Sequence, residues 1–170
     1  MDFEELVSLF YAALYRFALS LTCNDSDARD LTQQTFYIWA TKGHQLKDAS
    51  KVKAWLFTTL HREFLEKQRK LTRFPEHELS AVSEELPVTD PDLVSRLDSS
   101  SVVELLAQVA PVFRAPVALF YLDDHSYLEI ADILGVPLGT VKSRIARGLV
   151  QLQSILNRAP PADAMRKPVP

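Results

Sequence analysis

Residues 126–144 read SYLEIADILGVPLGTVKSR, and few folds can hold that string. Ser126 with Glu129 three residues later makes a capping box, in which a hydroxyl and a carboxylate serve the free amides of a helix start. Ala131 is small, as close crossing of two helices requires. Gly135 comes four residues on, where a tight inter-helix turn calls for a left-handed backbone. Val141 returns to the same core six residues later, so Ile130, Leu134, Val141 and Ile145 form the expected buried set. The pattern is that of a helix-turn-helix. Leu138, Gly139, Thr140, Lys142, Ser143, Arg144 and Arg147 are left at the exposed face or start of its second helix, the part that enters the major groove of DNA in such motifs. Arg and Lys donate to guanine or phosphate, Ser and Thr to phosphate. An αα-hairpin with a solvated basic face shares this periodicity, but the absence of acids from residues 138–158 favours DNA.

The rest of the chain is also helical in pattern. Four glycines in 170 residues and abundant Leu and Ala suit helices better than a turn-rich β fold. Apolar residues recur at helical spacing over about residues 3–22, with Leu6, Leu9, Phe10, Ala13, Leu14, Phe17 and Leu21. The cluster 24–27 is a turn and cap, and a second helix is expected over about 27–41, with Leu31, Thr35, Ile38 and Trp39 inward. A third helix runs from near Ser50 to Leu71, with Val52, Trp55, Leu56, Leu60, Phe64 and Leu65 apolar, and Phe74-Pro75 ends it. Residues 76–91 read as a linker rich in acids and proline. Helices are then expected over about 92–109, over 112–122 with Pro116 in or near its first turn, over 126–134 and over 138–157. The tail 159–170 holds four prolines and is expected to be disordered. The fold class is all-α. Two small helical domains, 1–74 and 96–158, are joined by a flexible acidic linker at 75–95.

Charge is unevenly placed although its net value is only −3. Lys51, Lys53, Arg62, Lys67, Arg69, Lys70 and Arg73 outnumber Glu63 and Glu66 in one block, and Lys142, Arg144, Arg147 and Arg158 make another. Between them lies an acidic stretch from Glu76 to Glu104. Basic blocks supply the attraction that positions a protein on phosphates. The other chemistry is sparse. His44, His61, His77 and His125 are scattered and read best as surface residues, with no metal-ligand spacing, phosphate-cradling loop or nucleophile elbow. An enzyme, a metal and a cofactor are therefore not expected. Cys23 is alone, so no internal disulfide forms; it reads as a small, partly buried side chain in a reducing, cytoplasmic setting. No signal peptide or apolar run of membrane-spanning length is visible, so no membrane insertion is expected.

Residues 126–152, SYLEIADILGVPLGTVKSRIARGLVQL, closely resemble the promoter-reading C-terminal domain of extracytoplasmic-function sigma factors, with GTVKSR at 139–144 especially typical. Residues 14–36, LYRFALSLTCNDSDARDLTQQTF, are similar to that family's polymerase-binding helices, and 52–70, VKAWLFTTLHREFLEKQRK, to its promoter-melting helix. The order of three matches carries more than a lone helix-turn-helix does. The resemblance implies an N-terminal domain that binds the clamp helices of core RNA polymerase and opens the minus-ten element. It implies a C-terminal domain that binds the minus-thirty-five element, an acidic linker that mimics RNA in its channel, and control by an anti-sigma factor. It places Asp27, Asp30, Gln33 and Gln34 on the polymerase-binding stretch, although Gln34 stands where the family usually has glutamate and Arg29 where it often has an acid. It places Lys53, His61, Arg62, Lys67, Arg69 and Lys70 at the minus-ten element, with Arg62 where asparagine is common. Trp55 lies with Leu56 and Leu60 and reads as core. The Lys67–Lys70 cluster also fits a solvated helix end, where cations suit the dipole. Thr32, Thr35 and Thr41 offer hydroxyls that phosphorylation would make negative near the clamp face. The alternative is an ordinary helix-turn-helix regulator that binds duplex operator DNA, usually as a dimer on a two-fold site, without becoming a polymerase subunit.

Overall fold

The computed structural model describes residues 1–72 and 98–158, so the acidic linker at 75–95 and the tail 159–170 lie outside the described residues. The described residues form seven α-helices and two 3-10 turns, with no strand among them. Helix α1 (Phe3–Thr22) opens on a capping box: Asp2 accepts from the Glu5 amide and Glu5 from the Asp2 amide. It closes on Cys23 at φ 54°. Cys23 is exposed, in contrast to the partly buried position expected, because it belongs to the left-handed turn ending α1. Helix α2 (Asp25–Lys42) starts earlier than expected because Asn24 is its cap, accepting from the Asp27 amide. The turns Gly43–Gln45 and Ala49–Lys51 lead to α3 (Val52–Leu71). A Cβ at Gly43 would meet the Trp39 ring at 2.5 Å, so only glycine lets the chain pass there unmoved.

Among the described residues the second module starts with α4 (Ser99–Leu106), capped by the Asp98 carboxylate; residues 92–97, where its helix was expected to begin, lie outside them. Helix α5 (Pro111–Tyr121) takes Pro111 at its first position, where the missing N–H costs nothing. Pro116 was expected in or near the first turn. It lies five residues further on, inside the helix and buried, since Pro111 already occupies the start. Arg114 ties α5 to the end of the preceding turn through the carbonyls of Val109 and Ala107, both at 2.9 Å. Helices α6 (Tyr127–Leu134) and α7 (Leu138–Arg158) complete the module. The Gln151 side chain accepts from the Ala110 amide at 2.8 Å, fixing α7 against the start of α5. The two helices approach so closely that a Cβ on Gly148 would lie 2.5 Å from Val117 Cγ2.

One buried cluster runs through both modules. Leu14, Phe17 and Ala18 of α1, Leu31 of α2 and Leu56, Phe57 and Leu60 of α3 join Leu106, Val117, Leu119, Ile130, Val141 and Ile145. Each fully buried Leu, Ile, Val or Phe side chain contributes about 1.5–3 kcal/mol relative to exposure. The modules therefore close on one another: α1 lies against α4 and α5, and α3 against α6.

Candidate nucleic-acid interface

Local chemistry builds the helix-turn-helix as its residues suggest. Ser126 Oγ accepts from the Glu129 amide at 3.2 Å, and Glu129 accepts from the Ser126 amide at 2.7 Å. Those hydrogen bonds hold the Glu129 carboxyl below the usual carboxylate range, the Ser126 amide foremost. Gly135 takes φ 65°, and its amide bonds the Ala131 carbonyl. Ile130, Val141 and Ile145 are buried. Leu134 is only half-buried and Ile133 is buried in its place. The α7 start then presents Gly139 and Lys142 exposed, with Leu138, Thr140, Ser143, Arg144 and Arg147 half-exposed. Ser143 turns inward on its own helix, donating to the Thr140 carbonyl at 3.1 Å. The first turn of α7 contains no acid, so an approaching phosphate meets amide dipoles and cations together.

Asp27, Asp30, Gln33 and Gln34 are all exposed on α2. Arg29 pairs with Asp25, its Nε at 3.1 Å from Oδ2, so its charge is neutralised within the first turns of α2. Asp25 also accepts from the Tyr15 hydroxyl, which holds its carboxyl low, with Arg29 adding to the effect. Thr32 and Thr35 are fully buried and donate to the Ala28 and Leu31 carbonyls, so a kinase could reach neither without unfolding α2; Thr41 is exposed. On α3, Arg62, Lys67, Arg69 and Lys70 are exposed. A groove of about 570 Å³ joins the two surfaces, lined by Asp30, Gln33, Gln34 and Tyr37 from α2 and Glu63, Glu66, Lys67 and Lys70 from α3. Trp55 meets Trp39 edge to face at 5.1 Å, in keeping with a packing role.

Lys53 and His61 sit differently, on the side of α3 that faces the second module. Lys53 Nζ donates to the Asp123 carbonyl at 2.7 Å. His61 is buried and feels the Arg144 guanidinium. Beside them Arg16 Nη2 lies 4.0 Å from Asp123 Oδ1, and the His125 ring meets Phe57 edge to face at 4.8 Å. His61 and His125 are therefore not the surface residues expected. Arg16, Phe57 and Asp123 carried no sequence signal for this meeting, because contacts between segments so far apart in the chain leave no local periodicity.

The seam perturbs three titrating groups. Burial pushes the Asp123 carboxyl up to about 7, against the pull of Arg16 and Lys53 and with the push of Asp124. Burial holds His61 down at about 4, with Arg144 adding to it. Burial and Lys53 hold His125 at about 4, against Glu129 and Asp124. At neutral pH His125 is thus uncharged, and its 3.8 Å approach to Glu129 is not an ion pair. A lowered imidazole gives stability that is complete above its ordinary 6.5 and is lost as pH falls toward 4. The raised Asp123 gives stability that is complete below 3.8 and is lost as pH rises toward 7. Two imidazoles outweigh one carboxyl on the acid side. The thermal midpoint is expected to peak near pH 7 and to drop toward pH 4, as read by calorimetry over about pH 4–8. A midpoint that climbs toward pH 4 would contradict the burial of these imidazoles.

Among the described residues no group of three or more His, Cys, Asp or Glu is placed to hold a metal, and no helix is long and apolar enough to cross a membrane. Comparison with known proteins matches residues 6–74 to Sigma-70 region 2 and residues 99–152 to Sigma-70, region 4. The chain is 36% identical over 160 residues to the ECF RNA polymerase sigma factor SigE of Mycolicibacterium smegmatis, covering 91% of this chain and 62% of the length of SigE. It is 33% identical over 137 residues to SigL of Mycobacterium tuberculosis, covering 79% of this chain and 77% of SigL. The structure also resembles the sigma factor RpoE of Bartonella quintana, solved in complex with the anti-sigma factor NepR, with a TM-score of 0.71, 31% identity, and coverage of 94% of this chain and 99% of that one. CnrH, solved with the cytosolic domain of CnrY, gives a TM-score of 0.62 at 25% identity.

Proposed function

Since the chain belongs to the extracytoplasmic-function sigma factors of bacterial RNA polymerase, we propose that its two modules divide promoter recognition between them. It is an alternative sigma factor that binds core RNA polymerase, recognises promoter DNA and starts transcription of a specific set of genes under the control of an anti-sigma factor. It acts as a non-enzymatic subunit, in the cytoplasm where polymerase is, and needs no cofactor. The observation that carries this reading is the pairing of region 2 and region 4 in one chain, in that order. A plain operator-binding regulator would need only the second.

The residue roles follow from exposure and charge. Asp27, Asp30, Gln33 and Gln34 form the polymerase-binding face of residues 1–74. Arg62, Lys67, Arg69 and Lys70 hold the melted minus-ten strand, cations to phosphate, with Lys53 and His61 joining them once α3 is uncovered. Leu138, Gly139, Thr140, Lys142, Ser143, Arg144 and Arg147, in residues 96–158, read the minus-thirty-five element. Residues 75–95 join the two modules in the sequence. Elements named for positions ten and thirty-five lie about 25 base pairs apart, which at ~3.4 Å per pair is on the order of 85 Å. The closed arrangement, with His61 near Arg144, cannot reach both, so promoter engagement separates the modules.

Run-off transcription is the direct test. The purified chain with core polymerase is expected to give transcripts from templates enriched for its binding, while neither component alone does. Failure to associate with core polymerase in a pull-down, together with tight dimeric binding to a palindromic duplex, would favour the operator-binding alternative.

A further inference from the structure

Two donors share one carboxylate where α1 meets α2. Asp25, in the first turn of α2, accepts from the Tyr15 hydroxyl of α1 and from Arg29 Nε at 3.2 Å, and the same Nε lies 3.1 Å from its other oxygen. Both donors hold the Asp25 carboxyl below its usual range, Tyr15 foremost, so it stays ionised. An exposed ion pair four residues apart on a helix holds weakly by itself, because fixing two long side chains costs entropy. Tyr15 changes that. Its ring stacks on Tyr11 at an interplanar angle of 1°, and Tyr11 stacks on Phe36 of α2 at 8°. Phe36 is buried. The hydroxyl is therefore carried by a braced ring, and it fixes the carboxylate that Arg29 binds.

Position matters here as much as charge. At roughly 100° per residue, Asp27, Asp30 and Gln34 fall within about 60° of one another on one side of α2. Asp25 and Arg29 fall on another side, the one that meets Tyr15 of α1. The bases of α2 are Arg29 and Lys42, and Lys42 lies in its last turn. Arg29 is thus the cation of α2 best placed to offset Asp27 and Asp30. Released from Asp25, its long side chain could lie across the exposed Gln33, one turn on, and reach their field.

We propose that Tyr15 and Asp25 are positioning residues for the polymerase-binding face: they hold the Arg29 guanidinium back against α1, so that Asp27 and Asp30 present an uncancelled negative field to core polymerase. This role deepens the reading of that face given above and rests on it. It explains how a cation is accommodated in the middle of an acidic stretch that fits a basic partner surface.

The test is the affinity of the full chain for core polymerase, by fluorescence titration. Asp25→Asn releases Arg29 and is expected to weaken binding about 10-fold. Arg29→Gln alone removes a charge already neutralised and is expected to leave affinity within about twofold of wild type. Added to Asp25→Asn, the same Arg29→Gln is expected to restore binding to within about twofold of wild type. Tyr15→Phe alters no charge; it is expected to weaken binding about threefold by itself and to have no effect beside Arg29→Gln. Equal gains from Arg29→Gln in both backgrounds would mean that net charge alone counts, and would overturn the assignment. So would an Asp25→Asn variant that binds as wild type does, or whose loss Arg29→Gln leaves unrepaired. Repair also separates release of Arg29 from misfolding, since removing an exposed guanidinium does not refold α2. Wild-type protein that binds no core polymerase removes the polymerase-binding reading, and this role with it.

Discussion

Replacing Phe57 by alanine is expected to cost about 3–5 kcal/mol, the range for deleting a buried aromatic ring. The ring is fully buried and serves two contacts at once, against Phe17 at 5.4 Å within the first module and against His125 at 4.8 Å across the seam. Such aromatic pairs contribute about 0.5–1.5 kcal/mol beyond burial itself. Domains of this size are stable by only about 5–15 kcal/mol, so the loss takes a large share of the margin. Urea denaturation followed by far-ultraviolet circular dichroism measures it. Phe64→Ala, on the same helix but half-buried, is the control and is expected to cost clearly less. Equal losses for both would mean that the core is not centred on Phe57.

Arg144→Glu is expected to have the largest functional effect. Its guanidinium lies on the face of α7 proposed to enter the major groove, and a good bidentate contact to a base is worth about 1–3 kcal/mol before any repulsion is added. Affinity for the duplex that wild-type protein selects from a random-sequence pool is expected to fall about 100-fold. The dependence of binding on salt should also become shallower, by about one released counterion. Affinity for core polymerase, proposed to be carried by the exposed α2 face, is expected to stay within about twofold. Fluorescence anisotropy gives the first quantity and a pull-down titration the second. Loss of both in a folded variant would mean that the two modules do not divide the work.

Much of this architecture is legible locally. The capping box of Ser126 and Glu129, the left-handed Gly135 and the burial of Ile130, Val141 and Ile145 all follow from spacings of three to six residues, and the structure contains each of them. Helix α1 keeps the bounds its periodicity suggests. Misplacements arise where two local signals compete. Ile133 and Leu134 are adjacent apolar residues on a short helix, and periodicity alone cannot say which one turns inward. Pro111 and Pro116 both qualify as a helix start, and the first of them takes it, leaving the second inside. The seam is illegible for a different reason. Arg16 and Asp123 are ordinary surface types, and only the tertiary approach of α1 to the turn after α5 makes them partners. His61 and His125 read as surface residues because nothing nearby in sequence announces their burial. The site residues that match the family by motif are those whose neighbours along the chain define them; Lys53, His61 and Arg144 also have surroundings set by the other module.

The seam also has a consequence for every partner together. Closure joins parts of a single chain, so dilution does not loosen it, and the fraction of molecules standing open is a property of the sequence. Any ligand that requires the separated modules binds with an intrinsic dissociation constant divided by that fraction. Under the proposed function, polymerase and promoter DNA therefore share one attenuation, whereas a ligand content with the closed form escapes it and deepens it for the others. Closure thus acts as a single gain setting: it scales the chain's response to all of its open-state partners by a common factor and leaves their order of preference unchanged.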